Sequence, residues 1–138
     1  TTEIYTLSLH DALPICGEIS RVMLALKTSL AKNETLPLLI FDEIDTGVSG
    51  RIGQKVGLAL KKLASYHQII AITHLPQIAA LANTHYAVEK NVVNDRVISV
   101  VRKLSEDERL KEVAKLLSGE EITETGLMTA KELIEFGK

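Results

Sequence analysis

Between Gly17 and about Lys32 the apolar residues Ile19, Val22, Met23, Leu26 and Leu30 recur every three to four positions, which predicts a helix with these five on its inner face. Asn33, Glu34 and Thr35 interrupt that period as a short polar break. Leu36 to Phe41 is then a continuous apolar run, the pattern of a strand buried on both faces, with Pro37 keeping its first residue or two out of the ladder. Thr46 to Gly50 is a loop of small residues. Ser49 is placed to cap a following helix that turns Ile52, Val56, Leu60 and Leu63 inward. Gln68 to Thr73 predicts a second buried strand. Pro76 sits in the first turn of a helix through Leu81, with Asn83 closing it. Strand, helix and strand at this spacing make a βαβ unit, so the two strands should be parallel with a right-handed crossover.

Beyond Asn83 the period changes again. Tyr86–Lys90 and Arg96–Arg102 read as two strands joined around Asn94-Asp95. Ser105 and Glu108 form a capping box before a helix carrying Leu110, Val113, Ala114 and Leu117, and Gly119 fits the left-handed position that ends it. A last helix, roughly Thr123 to Phe136, carries Leu127, Ala130, Leu133 and Ile134 on one side. No internal repeat or low-complexity tract occurs, and the pattern is that of one incomplete α/β domain.

Composition narrows the function without choosing it. With 46% hydrophobic and 25% charged residues among 138, the chain is ordinary for a globular domain. No apolar run reaches the roughly 18 residues that would span a bilayer. A formal net charge of −2 gives no strong attraction for nucleic acid, so any DNA contact should lie mostly elsewhere. Two Phe, three Tyr and no Trp argue against a base-stacking platform. The single cysteine, Cys16, forms no internal disulfide, which suits a reducing cytoplasm.

Thr1 to Ile15 stand apart. They lack Lys and Arg and contain Glu3 and Asp11, so they do not read as a targeting peptide. They resemble a common sequencing-adapter oligonucleotide translated in one frame, its last base entering the codon of Cys16. On that expectation residues 1–15 are non-native, the cysteine is accidental and His10 and Asp11 form no site. Without Glu3 and Asp11 the acidic residues equal the 16 basic ones.

Three features carry chemistry. Leu38 to Phe41 place Asp42 and Glu43 at the C-terminal end of a strand, where open parallel sheets bind ligands. Phosphoryl transfer to water needs a carboxylate near Mg²⁺ and a group that orients or deprotonates the water; Asp42 suits the first role and Glu43 the second. An acidic pair may equally mark nothing more than a strand end. His74 ends the second strand, so parallel neighbours would bring it to the same edge as Glu43, where an imidazole can donate to a terminal phosphate oxygen. Alone it would read as a structural histidine beside the Pro76 helix. Gly17, Glu18, Ile19 and Ser20 open the first helix, whose free N–H groups could hold phosphate, although a capping glycine is the commoner meaning.

Glycine-helix, Asp-Glu strand, small-residue loop and His strand, in this order, resemble the signature motif, Walker B strand, D-loop and switch histidine of ABC-type ATPase heads. The finer text, Phe41 to Gly50 with Thr73 to Ala80, is similar to the RecN family rather than to transporters or other SMC proteins, and Gly17 to Lys27 and Glu121 to Thr125 agree. The resemblance covers residues 17–138. It implies the C-terminal lobe of a P-loop NTPase of ABC/SMC type, with parallel core strands, a β-hairpin and C-terminal helices. It also implies ATP and Mg²⁺ as cofactors and a role in DNA double-strand-break repair and recombination in the bacterial cytoplasm, at the nucleoid. By position, Asp42 would hold Mg²⁺ through water, Glu43 would be the catalytic base and His74 would sense the γ-phosphate. Gly17, with Glu18 and Ser20, would contact ATP on a partner head, and Thr46, Gly47 and Ser49 would line the dimer seam. The implied partners are the N-terminal lobe of the same head, a second head, and DNA through the whole protein.

The departures are specific. No Gly-x-x-x-x-Gly-Lys-[Ser/Thr] phosphate loop occurs in this chain. Cys16 stands where the signature's first glycine would sit, and Ser49 where many ABC proteins have the D-loop aspartate. Leu117 to Glu121 imitates a signature but follows the Asp-Glu strand, and a helix end accounts for Gly119. His67 and His85 read as surface or loop residues. The chain alone should therefore not hydrolyse ATP. Two other readings remain open: a non-catalytic half-head that docks on an ATPase head, and a head of another SMC-type ATPase, against which the loop from Asp45 to Gly50 weighs.

Overall fold

β1 (Leu38–Phe41) and β2 (Gln68–Ala71) pair in parallel, Leu38 opposite Gln68 and Phe41 opposite Ala71, as the crossover demanded. They belong to a computed structural model that describes residues 17–31, 36–93, 96–119 and 121–137. The foreign-looking N-terminus with Cys16, the break at 33–35 and the turn at Asn94-Asp95 lie outside these residues. In order, the elements are α1 (17–30), β1, α2 (Gly50–Leu63), β2, α3 (Pro76–Ala79), β3 (Tyr86–Val93), β4 (Arg96–Lys103), α4 (Glu106–Ser118) and α5 (Glu124–Phe136). The chain divides into two units, one running to Ile78 and the other from Ala79.

In the first unit α1 and α2 bury side chains with one face of the strand pair. Leu24 and Ala31 from α1, Phe41 and Ile44, and Val56, Leu60 and Leu63 from α2 form the core, closed by Ile78. Leu39, Phe41, Ile69 and Ala71 point into it. Gly53 and Gly57 are buried on α2, and at Gly53 a Cβ would meet Leu75 at 2.9 Å, so the missing side chain lets the following loop lie close.

Two expectations fail in this unit. The strands are not buried on both faces: Leu38, Ile40, Ile70 and Ile72 alternate onto a bare face, and Ile40 is 62% exposed. On α1 the predicted inner residues Ile19, Val22, Met23, Leu26 and Leu30 all point outward. The helix is rotated so that Arg21, Leu24, Thr28 and Ala31 face in or lie half-buried. Arg21 fixes that rotation by donating from its guanidinium to the carbonyls of Thr46 (2.8 Å) and Ile44 (3.4 Å). One polar anchor at the start of a helix sets which stripe faces the core, and nothing among the described residues covers the wider stripe. On α2, Ile52 is likewise exposed rather than inward.

Smaller corrections follow local chemistry. Ser49 occupies the N-cap of α2 in extended backbone, but its side chain makes no capping hydrogen bond. α3 stops at Ala79, short of Leu81 and Asn83. His67 lies in the loop between α2 and β2, as read, but is buried there: its Nδ1 lies 2.7 Å from the carbonyl of Leu36 and ties the end of α2 to the entry of β1.

The second unit holds the hairpin and two helices. β3 and β4 are antiparallel with Tyr86 opposite Lys103 and Val93 opposite Arg96, longer strands than the pattern suggested. Ser105 caps α4 through the expected box, accepting from the Glu108 amide while the Glu108 carboxylate accepts from the Ser105 amide at 2.8 Å. α4 ends at Gly119, whose φ of 86° and ψ of −157° lie in backbone space open to glycine, though not in the left-handed helical region. Thr123 caps α5. Val113, Ala114, Ala130 and Ile134 are packed together with Ala79 and Ala80, as the periodicity required. Arg109, buried on α4, donates to the carbonyl of Ala80 at 2.8 Å. His85 lies in the loop before β3, as read, and is half-buried there; burial, then the neighbouring Arg109 cation, hold its pKa below the ordinary value.

Candidate functional site

Phe41 is the last paired residue of β1, and beyond it the chain must leave the sheet. It does so through a turn in which the Thr46 amide donates to the Glu43 carbonyl (3.1 Å) and the Val48 amide to the Asp45 carbonyl (3.1 Å). Closing this turn puts Glu43 at φ 54°. Among the described residues it is the sole non-glycine at positive φ, a conformation that costs an ordinary side chain about 1–2 kcal/mol. Gly47 (φ 72°) and Gly50 (φ 50°) take the same sign without that cost. Strain at a residue beside a cleft points to a role that a relaxed backbone would not serve.

β2 ends opposite, and the loop after it turns back over the same edge. Asp42, Glu43, Asp45, Thr46, Ile72, Thr73 and His74 line an open cleft of about 380 Å³. Asp42 and Glu43 are exposed there, while Asp45 is only 2% exposed. Asp45 Oδ2 accepts from the Thr73 hydroxyl (2.5 Å) and from the His74 amide (2.8 Å), and it lies 3.0 Å from His74 Nδ1. Thr73 Oγ1 in turn accepts from the Leu75 amide at 3.0 Å. Burial pushes the Asp45 carboxyl up, but the Thr73 and His74 hydrogen bonds and the His74 ring together outweigh it, so Asp45 titrates below its ordinary value.

The sequence-predicted site residues therefore separate. Asp42, Glu43, Thr46 and His74 share the cleft; Gly17, Glu18, Ser20, Gly47 and Ser49 do not line it. Gly17 touches the cleft's wall from behind. It is buried, and a Cβ there would lie 2.8 Å from the Thr46 carbonyl, so only glycine lets the start of α1 sit on the loop that Arg21 also grips. Besides Ile72, two polar residues of the cleft had no predicted role, Asp45 and Thr73. The signal for them was available: an acid inside a small-residue loop after β1, and a hydroxyl beside the histidine after its parallel neighbour β2.

The donor set fits a cation held together with phosphate rather than enclosed by protein. Among the described residues no group of three or more His, Cys, Asp or Glu is placed to hold a metal. Mg²⁺ usually keeps several waters and binds one or two carboxylates plus substrate phosphates, a number that the exposed carboxylates of Asp42 and Glu43 match.

Fold and site together define a mixed α/β protein with a parallel strand pair, C-terminal helices, and carboxylates and a histidine converging at the strands' C-terminal edge. Sequence comparison finds relatives that share one name. The chain is similar to DNA repair protein RecN of Halalkalibacterium halodurans, 44% identical over 119 residues, to that of Rickettsia bellii, 48% identical over 118, and to that of Bacillus subtilis, 40% identical over 119. Each match covers 86% of this chain, and the resemblance to RecN read from the motifs is thereby shown. The chain spans about a fifth of the length of these relatives: 21%, 22% and 21% respectively. No protein-family model matches it. No helix among the described residues is long and apolar enough to cross a membrane.

Proposed function

We propose that residues 16–138 are the C-terminal lobe of an ABC/SMC-type ATPase head, of P-loop NTPase fold, from a RecN-like protein of DNA double-strand-break repair and recombination, and that residues 1–15 are foreign to it. The observation that carries the reading is the convergence of Asp42, Glu43 and His74 on one cleft, with Glu43 in strained backbone. Mg²⁺ bound with ATP supplies the positive charge that phosphoryl transfer requires. Asp42 holds that ion through water. Glu43 orients the attacking water and draws its proton, and His74 faces the terminal phosphate. The N-terminus of α1, at Gly17, Glu18 and Ser20, serves the nucleotide of a second head, and Thr46, Gly47 and Ser49 lie along the seam between heads. DNA is engaged through the whole protein, in the bacterial cytoplasm at the nucleoid.

With no phosphate loop, this chain supplies half a site. The bare stripe of α1 and the bare face of the sheet support an N-terminal lobe as the covering partner. The same apolar faces favour a second reading, a half-head that docks without chemistry. Mixing the purified chain with a polypeptide carrying the N-terminal lobe of a RecN relative, and measuring ATP hydrolysis, separates the two. The expected result is no turnover by either part, turnover by the mixture, and its loss with Glu43→Gln. Association without turnover would sink the catalytic reading and leave the docking one.

A further inference from the structure

We propose that Asp45 is the positioning residue of His74: its buried carboxylate holds the ring by Nδ1–H, so that Nε2 is the nitrogen left to whatever occupies the cleft. A carboxylate at neutral pH accepts hydrogen bonds and donates none. A bare Nδ1 lone pair 3.0 Å from the anionic Asp45 Oδ2 would be repelled, so the contact favours the ring form with its proton on Nδ1. The arrangement is built from the backbone outward. Asp45 Oδ2 also takes the Thr73 hydroxyl and the His74 amide, so the residue that fixes the ring also fixes the loop bearing it. The anchor is 3% exposed at its side chain while the His74 side chain is 74% exposed, so an otherwise free ring is tethered at one atom.

The tether changes what His74 can do. A neutral ring with its proton on Nδ1 presents Nε2 as a lone pair, an acceptor. Held this way it accepts a hydrogen bond from a water or hydroxyl in the cleft. It donates from Nε2 to a phosphate oxygen only after gaining a second proton. Neutral His74 is thus an acceptor toward the cleft, where the sequence reading had the imidazole donate. Asp45, by this account, touches no reacting atom and acts through the ring.

The inference builds on the reading of His74 as facing a phosphate, but its test uses no nucleotide. Two-bond ¹⁵N–¹H spectra of the full chain report the tautomer of each neutral histidine ring, and the His74 signals are those lost in His74→Gln. The wild-type ring should be predominantly Nδ1–H, and Asp45→Ala should convert it to the Nε2–H form that free imidazole prefers. A predominantly Nε2–H ring in the wild type overturns the proposal whether or not any variant folds. So does a tautomer unchanged by Asp45→Ala in a chain whose amide spectrum shows it folded. Thr73→Val leaves the carboxylate in place and should leave the ring Nδ1–H; conversion by that variant would place the control elsewhere and overturn it too. An Nδ1–H ring in a chain whose reconstituted head fails to hydrolyse ATP would retire the ATPase reading and keep this one. Active heads with an Nε2–H ring would do the reverse.

Discussion

Glu43 and Asp45 show how closely chemistry and backbone are joined at single residues. Glu43 holds positive φ because the turn from Glu43 to Thr46 must close within a few residues of the sheet. Asparagine tolerates that region better than glutamate. Glu43→Asn should therefore raise the unfolding free energy by up to about 1 kcal/mol, whereas Glu43→Gln, which keeps the strained side-chain type, should leave it unchanged. Urea midpoints of the three chains check this, and an Asn variant no more stable than the Gln one would show that the turn stores no strain. Both variants should be inactive in a reconstituted head, which is the expected trade between stability and activity at a working residue. The acidic pair and the histidine were visible as residue types at strand ends. The strain at Glu43 and the buried state of Asp45 were not, because both follow from how the turn closes across two strands.

At the scale of elements, local signals succeeded where the chemistry is local. The Ser105 and Glu108 box, the stop at Gly119, and the inner faces of α4 and α5 lie where the periodicity put them. α2 shows the limit, since Ser49 has the N-cap position but no capping bond from its side chain. The two serines should then differ on substitution. Ser105→Ala should cost about 1 kcal/mol, and Ser49→Ala no more than a few tenths. Thermal or urea unfolding of the single variants distinguishes them, and equal costs would contradict the capping geometry. α1 shows a deeper limit. Its apolar period was read correctly as a helix, yet the stripe it turns inward was not the one the period marked, because the Arg21 hydrogen bonds to Ile44 and Thr46 set the rotation. A hydrophobic stripe says that something covers a face, not that the same chain does so.

For the molecule as a whole, the uncovered faces are the dominant fact. Ile19, Val22, Met23, Leu26 and Leu30 on α1, and Leu38, Ile40, Ile70 and Ile72 on the sheet, expose more large apolar side chain than scattered surface residues account for. A two-stranded sheet with one face open is marginal by itself, and an unpaired strand edge invites association. The chain alone should self-associate. Ile40→Lys with Ile70→Lys, neighbours on the bare face, should reduce that association with little change in stability, about 0.5 kcal/mol or less. The same pair should abolish restoration of ATP hydrolysis by the N-terminal lobe. Sedimentation velocity reads the first effect and the mixed assay the second. A double variant that still restores turnover would mean the partner covers some other surface.

Sequence by itself determined the run of elements, the parallel sense of β1 and β2, the cap of α4, and the arrival of Asp42, Glu43 and His74 at one edge. These depend on periods, turn chemistry and topology, which act over a few residues or through chain connectivity. Only the tertiary structure decided the rotation of α1, the burial of His67 and Asp45, the strained turn at Glu43, and the grip of Asp45 on His74. Apart from the local turn at Glu43, each of these is a contact between residues more than twenty apart in sequence, and no local pattern encodes which distant carbonyl or carboxylate a side chain will meet.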